Sequence, residues 1–370
     1  MSRFLILSAS MGEGHDAVAR ALAARLSGQG HDAVPVDLLR LLPTRAAGAA
    51  LRGFYKGCIR YAPWVYAGIY AAFFRLGDGP GDGPGGPHER RGPDTTPLAA
   101  AVGPRLRALT ERLRPDLVVP VFHLAAQVTG LERALGRLKV PTAVLVTDVA
   151  VHRQWLHPGN DHYLCLTRDA AHAVHAATGR PARAVGATLA DAFLPPRAPA
   201  RRPDPVLSRV LLSAGAWGAG THFAETARTV AEAGFAPVVL CGRNERLRHR
   251  LRTLPGVTAL GWQRDLPSLL AGATALVDNA AGQTALQALA LGVPVVGYRP
   301  LPGHGRDGVR AMADLGLSRL ADTPADLVSA LDEARRAPQT AVPARELLFP
   351  GTAATVLADL ADGRRPADPR

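Results

Sequence analysis

Apolar and polar positions fall into blocks that occur twice along the chain. Phe4–Leu7 is a short continuous apolar run, followed by the small residues Ser8-Ala-Ser10 and then by Gly12 and Gly14. From about His15 the apolar residues Val18, Leu22 and Leu26 recur at spacings of three to four, which is the period of one helix face. A strand, a glycine loop and a helix in that order form the opening unit of a parallel α/β sheet. Further apolar runs predict strands at 33–36, 117–122, 143–147 and 163–167, with helical stretches between most of them. The pattern restarts at Val210–Ser213. Gly215, Gly218 and Gly220 follow, then a helix through about Ala233 and strands at 237–241, 257–260, 275–278 and 293–298.

Between the two blocks lies a stretch rich in proline and arginine, from Pro195 to Pro205, with the composition of a linker. The expected organisation is therefore a first domain over 1–195, a linker over 196–206, a second domain over 207–349, and a C-terminal helix and tail over 350–370. Two Rossmann-like domains in sequence would place a ligand in the cleft between them. Residues 77–97, GDGPGDGPGGPHERRGPDTTP, suit neither helix nor sheet and are expected to be a mobile loop of the first domain. Just before it, residues 51–76 carry eight of the chain's 19 aromatics, interleaved with Arg52, Lys56, Arg60 and Arg75.

Composition narrows the function. The 370 residues are 47% apolar and 20% charged, enough for buried cores and unlike a disordered charged tail. The net charge is +12, and all but two of the 43 basic residues are arginine. That excess fits either a solvated arginine-rich surface or an anionic partner. The arginines are dispersed and no recognition-helix motif occurs, so nucleic acid is not an expected partner. Cys58, Cys165 and Cys241 are scattered singly, which points away from disulfides or a zinc site and towards a reducing cytoplasm. The longest apolar run, Trp64–Phe74, is shorter than the roughly 20 residues needed to cross a bilayer, and no secretory signal is expected at the N-terminus.

The candidate chemistry begins in the loop Ser10-Met-Gly-Glu-Gly-His15. Glycines allow close backbone approach to a ligand, and exposed amides at a helix start attract anions. The spacing is not G-x-G-x-x-G, so a dinucleotide site is disfavoured. The stretch SASMGEGHDAVARAL closely resembles the opening of the monogalactosyldiacylglycerol synthases and bacterial diacylglycerol glucosyltransferases. It resembles more distantly the N-acetylglucosaminyltransferase that completes lipid II. These are GT-B glycosyltransferases, so the resemblance implies two facing Rossmann-like domains around an interdomain cleft.

A second match follows an apolar strand: Thr147, Asp148, His152, Trp155 and His157, then Asp161 and Tyr163, similar in residue type and spacing to the glycolipid synthases. A third lies in the second half. Gly215 and Gly218 resemble the family's glycine-rich turn, Cys241-Gly-Arg243-Asn244 the next strand end, and Gly261-Trp262 the one after. Asn279-Ala-Ala-Gly282-Gln283-Thr284 resembles the helix start whose amides hold the donor diphosphate. The sequence also departs from the family. The acidic residue that accepts from the ribose hydroxyls aligns with Gln287, and a Pro-Gly-Gln-Glu stretch is replaced by Pro302-Gly-His304-Gly305.

The resemblance implies transfer of a hexose from a nucleotide sugar, such as a UDP-sugar, to a lipid hydroxyl, foremost that of diacylglycerol, with no cofactor and no metal. His15 would be the base, since an unperturbed imidazole pKa of about 6.5 suits proton abstraction near neutral pH. Asp148 would either polarise that ring from its far nitrogen or cap its own loop. Gly12, Glu13, Gly14, His152, Trp155 and His157 would form the acceptor side. Gly215, Gly218, Arg243, Gly282, Gln283, Thr284, Gln287 and His304 would form the donor side. Trp64, Tyr66, Tyr70, Phe73 and Phe74 would touch an anionic membrane, putting the protein peripherally on the inner face. A non-catalytic lipid- or nucleotide-binding protein on a decayed GT-B scaffold, or a GT-B enzyme with another acceptor, are the alternatives.

Overall fold

A computed structural model describes residues 1–73, 97–194, 208–336, 348 and 353–364. The first half runs β1 (Arg3–Ser8), α1 (Glu13–Gly28), β2 (Asp32–Asp37), α2 (Arg45–Tyr61), α3 (Pro63–Phe73), α4 (Pro97–Leu113), β3 (Leu117–Pro120), α5 (His123–Ala134), β4 (Ala143–Leu145), β5 (His162–Cys165), α6 (Arg168–Thr178) and β6 (Ala182–Ala184). The second half continues with β7 (Arg209–Ser213), α7 (Phe223–Glu232), β8 (Ala236–Leu240), α8 (Glu245–Leu251), β9 (Thr258–Leu260), α9 (Leu266–Ala271), β10 (Ala275–Asp278), α10 (Gln283–Ala290), β11 (Val295–Tyr298), α11 (His304–Asp314), β12 (Arg319–Ala321), α12 (Pro324–Arg336) and α13 (Ala353–Ala361).

Among the described residues every strand pairing is parallel. β2-β1-β3 and β4-β5-β6 form two three-stranded sheets, joined by a single bridge between Val118 and Thr142, and the second half forms one sheet in the order β12-β11-β10-β7-β8-β9. Parallel sheets need helices on both faces, which is why the strands read as unbroken apolar runs. Phe4, Leu5, Ile6 and Leu7 are all completely buried, alternate side chains joining separate cores on the two faces of β1. The two strands that sequence reasoning missed, β6 and β12, are three-residue edge strands, β6 half-buried and β12 exposed except at Ala321. Such edges carry no apolar run to be read.

Strand order reverses between β1 and β3 in the first half and between β7 and β10 in the second. Ligands of open α/β sheets bind beyond the carboxyl ends of strands at such a switch point. Ser8–His15 and Val121–His123 leave the first switch, and Ser213–Gly220 and Asn279–Thr284 leave the second.

The C-terminal helix expected beyond residue 350 is α13, and it returns to the first half. Ala353, Ala354, Val356 and Leu357 share a core with Phe4, Val18 and Leu22, and Ser2 Oγ donates to Asp362 at 2.8 Å. The expected linker at 196–206, and the expected mobile loop apart from Pro97, lie outside the described residues.

Candidate active site

The two switch points face each other across a cavity of about 970 Å³. Gly12, Glu13, Gly14, His15, Asp148 and His152 line it from the first half, and Gly215, Gly282, Gln283, Thr284, Gln287 and His304 from the second. A flank of Leu39, Leu51, Tyr55, Ile59 and Ile69 makes the first-half wall largely apolar.

His15 stands in the first turn of α1, whose N-cap residue Gly12 has extended backbone and no side-chain cap. Its Nδ1 lies 2.9 Å from the carbonyl oxygen of Val121 and 3.2 Å from Thr147 Oγ1. A carbonyl can only accept, so Nδ1 carries the proton and Nε2 is left with its lone pair. The ring packs edge-on against Phe122 at 4.9 Å. Burial lowers the His15 pKa, partly offset by the negative charge of Asp148 and the Val121 hydrogen bond. The imidazole is therefore neutral at pH 7, the form a base requires.

Of the two roles expected of Asp148, the bond to the far nitrogen of His15 is not made, and its partners lie in its own loop. Instead of bonding His15, its Oδ2 accepts from Trp155 Nε1 at 2.8 Å and lies 3.3 Å from His152 Nε2. Burial pushes the Asp148 carboxyl up, but the His152 hydrogen bond and the imidazoles of His152, His15 and His304 outweigh it, and the net shift is downward. Asp148 thus acts on His15 only through space. Trp155, expected at the acceptor, is completely buried behind the cavity wall, 6.2 Å from the His15 ring. Its role is to hold Asp148.

His157 is also corrected. It is buried away from the cavity, its Nδ1 accepting from the Gly159 N–H at 2.9 Å and its own N–H donating to the Tyr163 hydroxyl at 2.8 Å. Its ring fills the space a Cβ of Gly130 would need, and burial pushes its pKa down to about 4. This histidine is packing. His123, which sequence reasoning passed over, does reach the cavity as the first residue of α5. Its ring lies 4.1 Å from Phe122 and 5.2 Å from His152, and burial with the neighbouring imidazoles holds its pKa well below the usual value. Its place just beyond β3, at the switch point, was the signal that could have found it.

In the second half, where the donor-binding residues are expected, α10 starts at Gln283 behind Gly282, which is extended and offers no side-chain cap. The Asp278 carboxylate shapes the approach by accepting from the N–H groups of Ala280 at 2.9 Å and Ala281 at 2.6 Å. An uncapped helix start at a cavity suits an anion. Gln287, one turn further along, is buried and lines the cavity as expected. Gly218 and Arg243 do not line it. Gly218 is a left-handed turn residue (φ 62°) wedged against Asn244 and the Cys241 carbonyl. Arg243 instead pairs with Glu13 at 2.7 Å and stacks on Trp262 at 4.0 Å.

Two residues expected at a membrane are turned inward. Tyr66 and Tyr70 are only 9% and 3% exposed, and the Tyr66 hydroxyl lies 2.7 Å from His304 Nδ1. They sit four apart and so share one helix face, whereas Trp64, two residues before Tyr66, is 74% exposed. Phe54 and Tyr61 on α2, members of the aromatic block 51–76 noted in the sequence, are exposed as well. The Phe73 side chain and Phe74 lie outside the described residues. Among the described residues no group of three or more histidines, cysteines or carboxylates could hold a metal, and no helix is long and apolar enough to cross a membrane.

Two parallel α/β halves meeting at facing switch points make this the GT-B fold. Solved structures agree: the glycotransferase of kitacinnamycin and the Acinetobacter baumannii MurG each align with a TM-score of 0.59 at 17% identity, over 99% and 98% of this chain and 99% of each of those chains. Residues 86–186 match the family model for monogalactosyldiacylglycerol (MGDG) synthase. The chain is similar to the processive diacylglycerol beta-glucosyltransferases of Staphylococcus epidermidis, 24% identical over 60% of this chain, and Bacillus cereus, 27% identical over 54%. The matched stretches span 59% and 54% of those two proteins.

Proposed function

We propose that this protein transfers a hexose from a nucleotide sugar to the hydroxyl of a lipid acceptor, with diacylglycerol the first candidate. The observation that carries the reading is His15, whose Val121 hydrogen bond leaves Nε2 as the basic nitrogen at a cavity lined by both halves. The apolar first-half wall suits a lipid, and the uncapped start of α10 suits a diphosphate. An acceptor hydroxyl reaching His15 would give up its proton as its oxygen attacks the anomeric carbon and the nucleoside diphosphate leaves. No metal is needed, because helix amides and the N-terminal dipole can carry the leaving charge. The test is incubation of the protein with labelled nucleotide sugars and a lipid extract, with mass spectrometry of the products. A labelled glycerolipid is expected; the absence of any labelled lipid with every donor would sink the reading and leave a non-catalytic binding protein.

The changed donor residue gives a second expectation. A carboxylate accepts from two hydroxyls at once, whereas the Gln287 amide offers one acceptor oxygen and an NH₂ donor. Charge-assisted bonds contribute about 1.5–3 kcal/mol against roughly 1 for neutral ones. Nucleoside diphosphate should therefore bind measurably, and Gln287→Glu should tighten its Kd about tenfold by calorimetry. An unchanged Kd would mean that Gln287 does not face the ribose.

We further propose that α2 and the start of α3 dock on an anionic membrane at the cytoplasmic face through Phe54, Tyr61 and Trp64. Aromatic rings at head-group depth beside arginines are suited to such a surface. Sedimentation with anionic vesicles should weaken with salt and fall at least about fivefold for Tyr61→Ser with Trp64→Ser. Equal binding to neutral and anionic vesicles would refute the electrostatic part, and an unaffected double variant the aromatic part.

A further inference from the structure

The loop that delivers His15 is held from the other half of the molecule at three places. The Met11 carbonyl accepts from Trp217 Nε1 at 2.7 Å. The Glu13 carboxylate takes Arg243 at 2.7 Å on one oxygen and Arg20 at 3.3 Å on the other. Gly14 lies against Gln283, whose Cγ is 3.3 Å from the point where a Cβ of Gly14 would stand. Trp217 and Arg243 lie in the loops following β7 and β8, and Gln283 is the first residue of α10, following β10. His15 is the next residue in the chain.

The second-half partners are themselves braced. The Arg243 guanidinium lies 4.0 Å from the Trp262 ring centroid and 5.7 Å from that of Trp217. Arg60 of α2 donates to the Trp217 carbonyl at 2.6 Å and to the Arg243 carbonyl at 3.4 Å. Lys56 Nζ sits 5.0 Å over the Trp217 ring. A flat guanidinium held between indole rings has little freedom except along the direction of its carboxylate partner.

We infer that Glu13 is a positioning residue: with Arg243 it latches the His15 loop to the donor half, setting where the base stands relative to the nucleotide sugar. Two geometric facts support positioning over proton transfer. Both Glu13 oxygens are occupied by guanidinium groups, and His15, two residues further on, already presents Nε2 as the basic nitrogen. The arrangement also means that the halves can part only by breaking the Glu13–Arg243 pair and the Trp217–Met11 bond together. The latch rests on the hexosyltransfer reading for its kinetic consequence alone.

The test has two arms. In the first, hydrogen exchange is followed by mass spectrometry on the peptides covering 8–22 and 241–252, in the full-length protein without substrate. Glu13→Gln should speed exchange in the second-half peptide, and Arg243→Ala in the first-half peptide, each by about threefold, as expected for a partly exposed ion pair. The double variant should add little to either single one, because both remove the same contact. Glu333→Gln, which breaks an exposed pair with Arg319 on the far side of the second half, should leave both peptides as they are. Exchange changes confined to the half that carries each substitution would overturn the latch, whatever the chain catalyses.

The second arm is kinetic. Glu13→Gln should lower kcat about tenfold, since small displacements of a reacting group are costly, with KM for the nucleotide sugar within about threefold and the pH profile of kcat unchanged in shape. Loss of the acidic limb of that profile would make Glu13 the base and overturn the assignment. If the wild-type protein transfers no sugar, the function proposed above fails, and the exchange arm still decides the latch.

Discussion

His15→Ala should lower kcat by at least about 10²-fold and leave the Kd for nucleoside diphosphate within about threefold. A positioned general base contributes roughly 10²–10⁴-fold, and a residue that acts only on the developing transition state changes kcat without changing donor binding. Calorimetry and initial rates on the same preparation separate the two quantities. The pH dependence follows from the sign of the shift. Burial lowers the His15 pKa below its ordinary 6.5, so the neutral, active form persists to more acidic pH than a free imidazole would allow. The acidic limb of kcat/KM should therefore fall below pH 6.5. A limb above that value, or a variant retaining near wild-type turnover, would remove His15 from the base position.

Asp148→Asn should be damaging in two separable ways. It keeps the shape of the side chain but removes the charge that supports a protonated His15 through space, so kcat should drop about tenfold or more. The acidic limb should also move to still lower pH, because the largest of the influences raising the His15 pKa, ahead of the Val121 hydrogen bond and Asp16, has gone. Asp148→Ala in addition leaves the buried Trp155 N–H and the His152 ring without their carboxylate. An orphaned buried donor costs about 1–3 kcal/mol, and Asp148 retains 27% exposure towards the cavity, so about 2 kcal/mol of stability should be lost in urea unfolding. Asn restores an acceptor for Trp155 and should recover most of that stability but not the activity. If both variants lost the same activity and stability together, Asp148 would be a structural residue only.

The contrast between Asp148 and His157 shows why residue type and spacing stop short of a role. Both belong to one similar stretch, and both carry chemistry-capable side chains. The carboxylate lies just beyond β4 beside the cavity, while the imidazole nine residues further along is turned into the packing between Gly130 and Tyr163. The chain leaves the sheet edge between them through Trp155, which is buried in a core with Ala126 of α5, Val144 of β4 and Tyr163 of β5. Tyr66 and Tyr70 make the same point on α3. Composition marks the segment as aromatic and basic, but which face looks outward depends on where His304 and Gly303 arrive from the other half.

The sequence by itself determined the alternation of buried strands and glycine loops, the parallel sheets, the two halves, and His15 at the head of α1. These are local properties: an apolar run long enough to span a buried strand, a glycine where backbone must turn, a helical period beginning after it. The tertiary structure alone decided the Val121 carbonyl that fixes the His15 tautomer, the partnership of Asp148 with Trp155, the entry of His123, and the return of α13 to the first half. It also decided the contacts of Met11, Glu13 and Gly14 with Trp217, Arg243 and Gln283. Apart from the Asp148–Trp155 bond, which spans seven residues of one loop, these join residues far apart in the chain, and their meeting is set by how the sheets and their helices pack, a long-range outcome that no local spacing encodes.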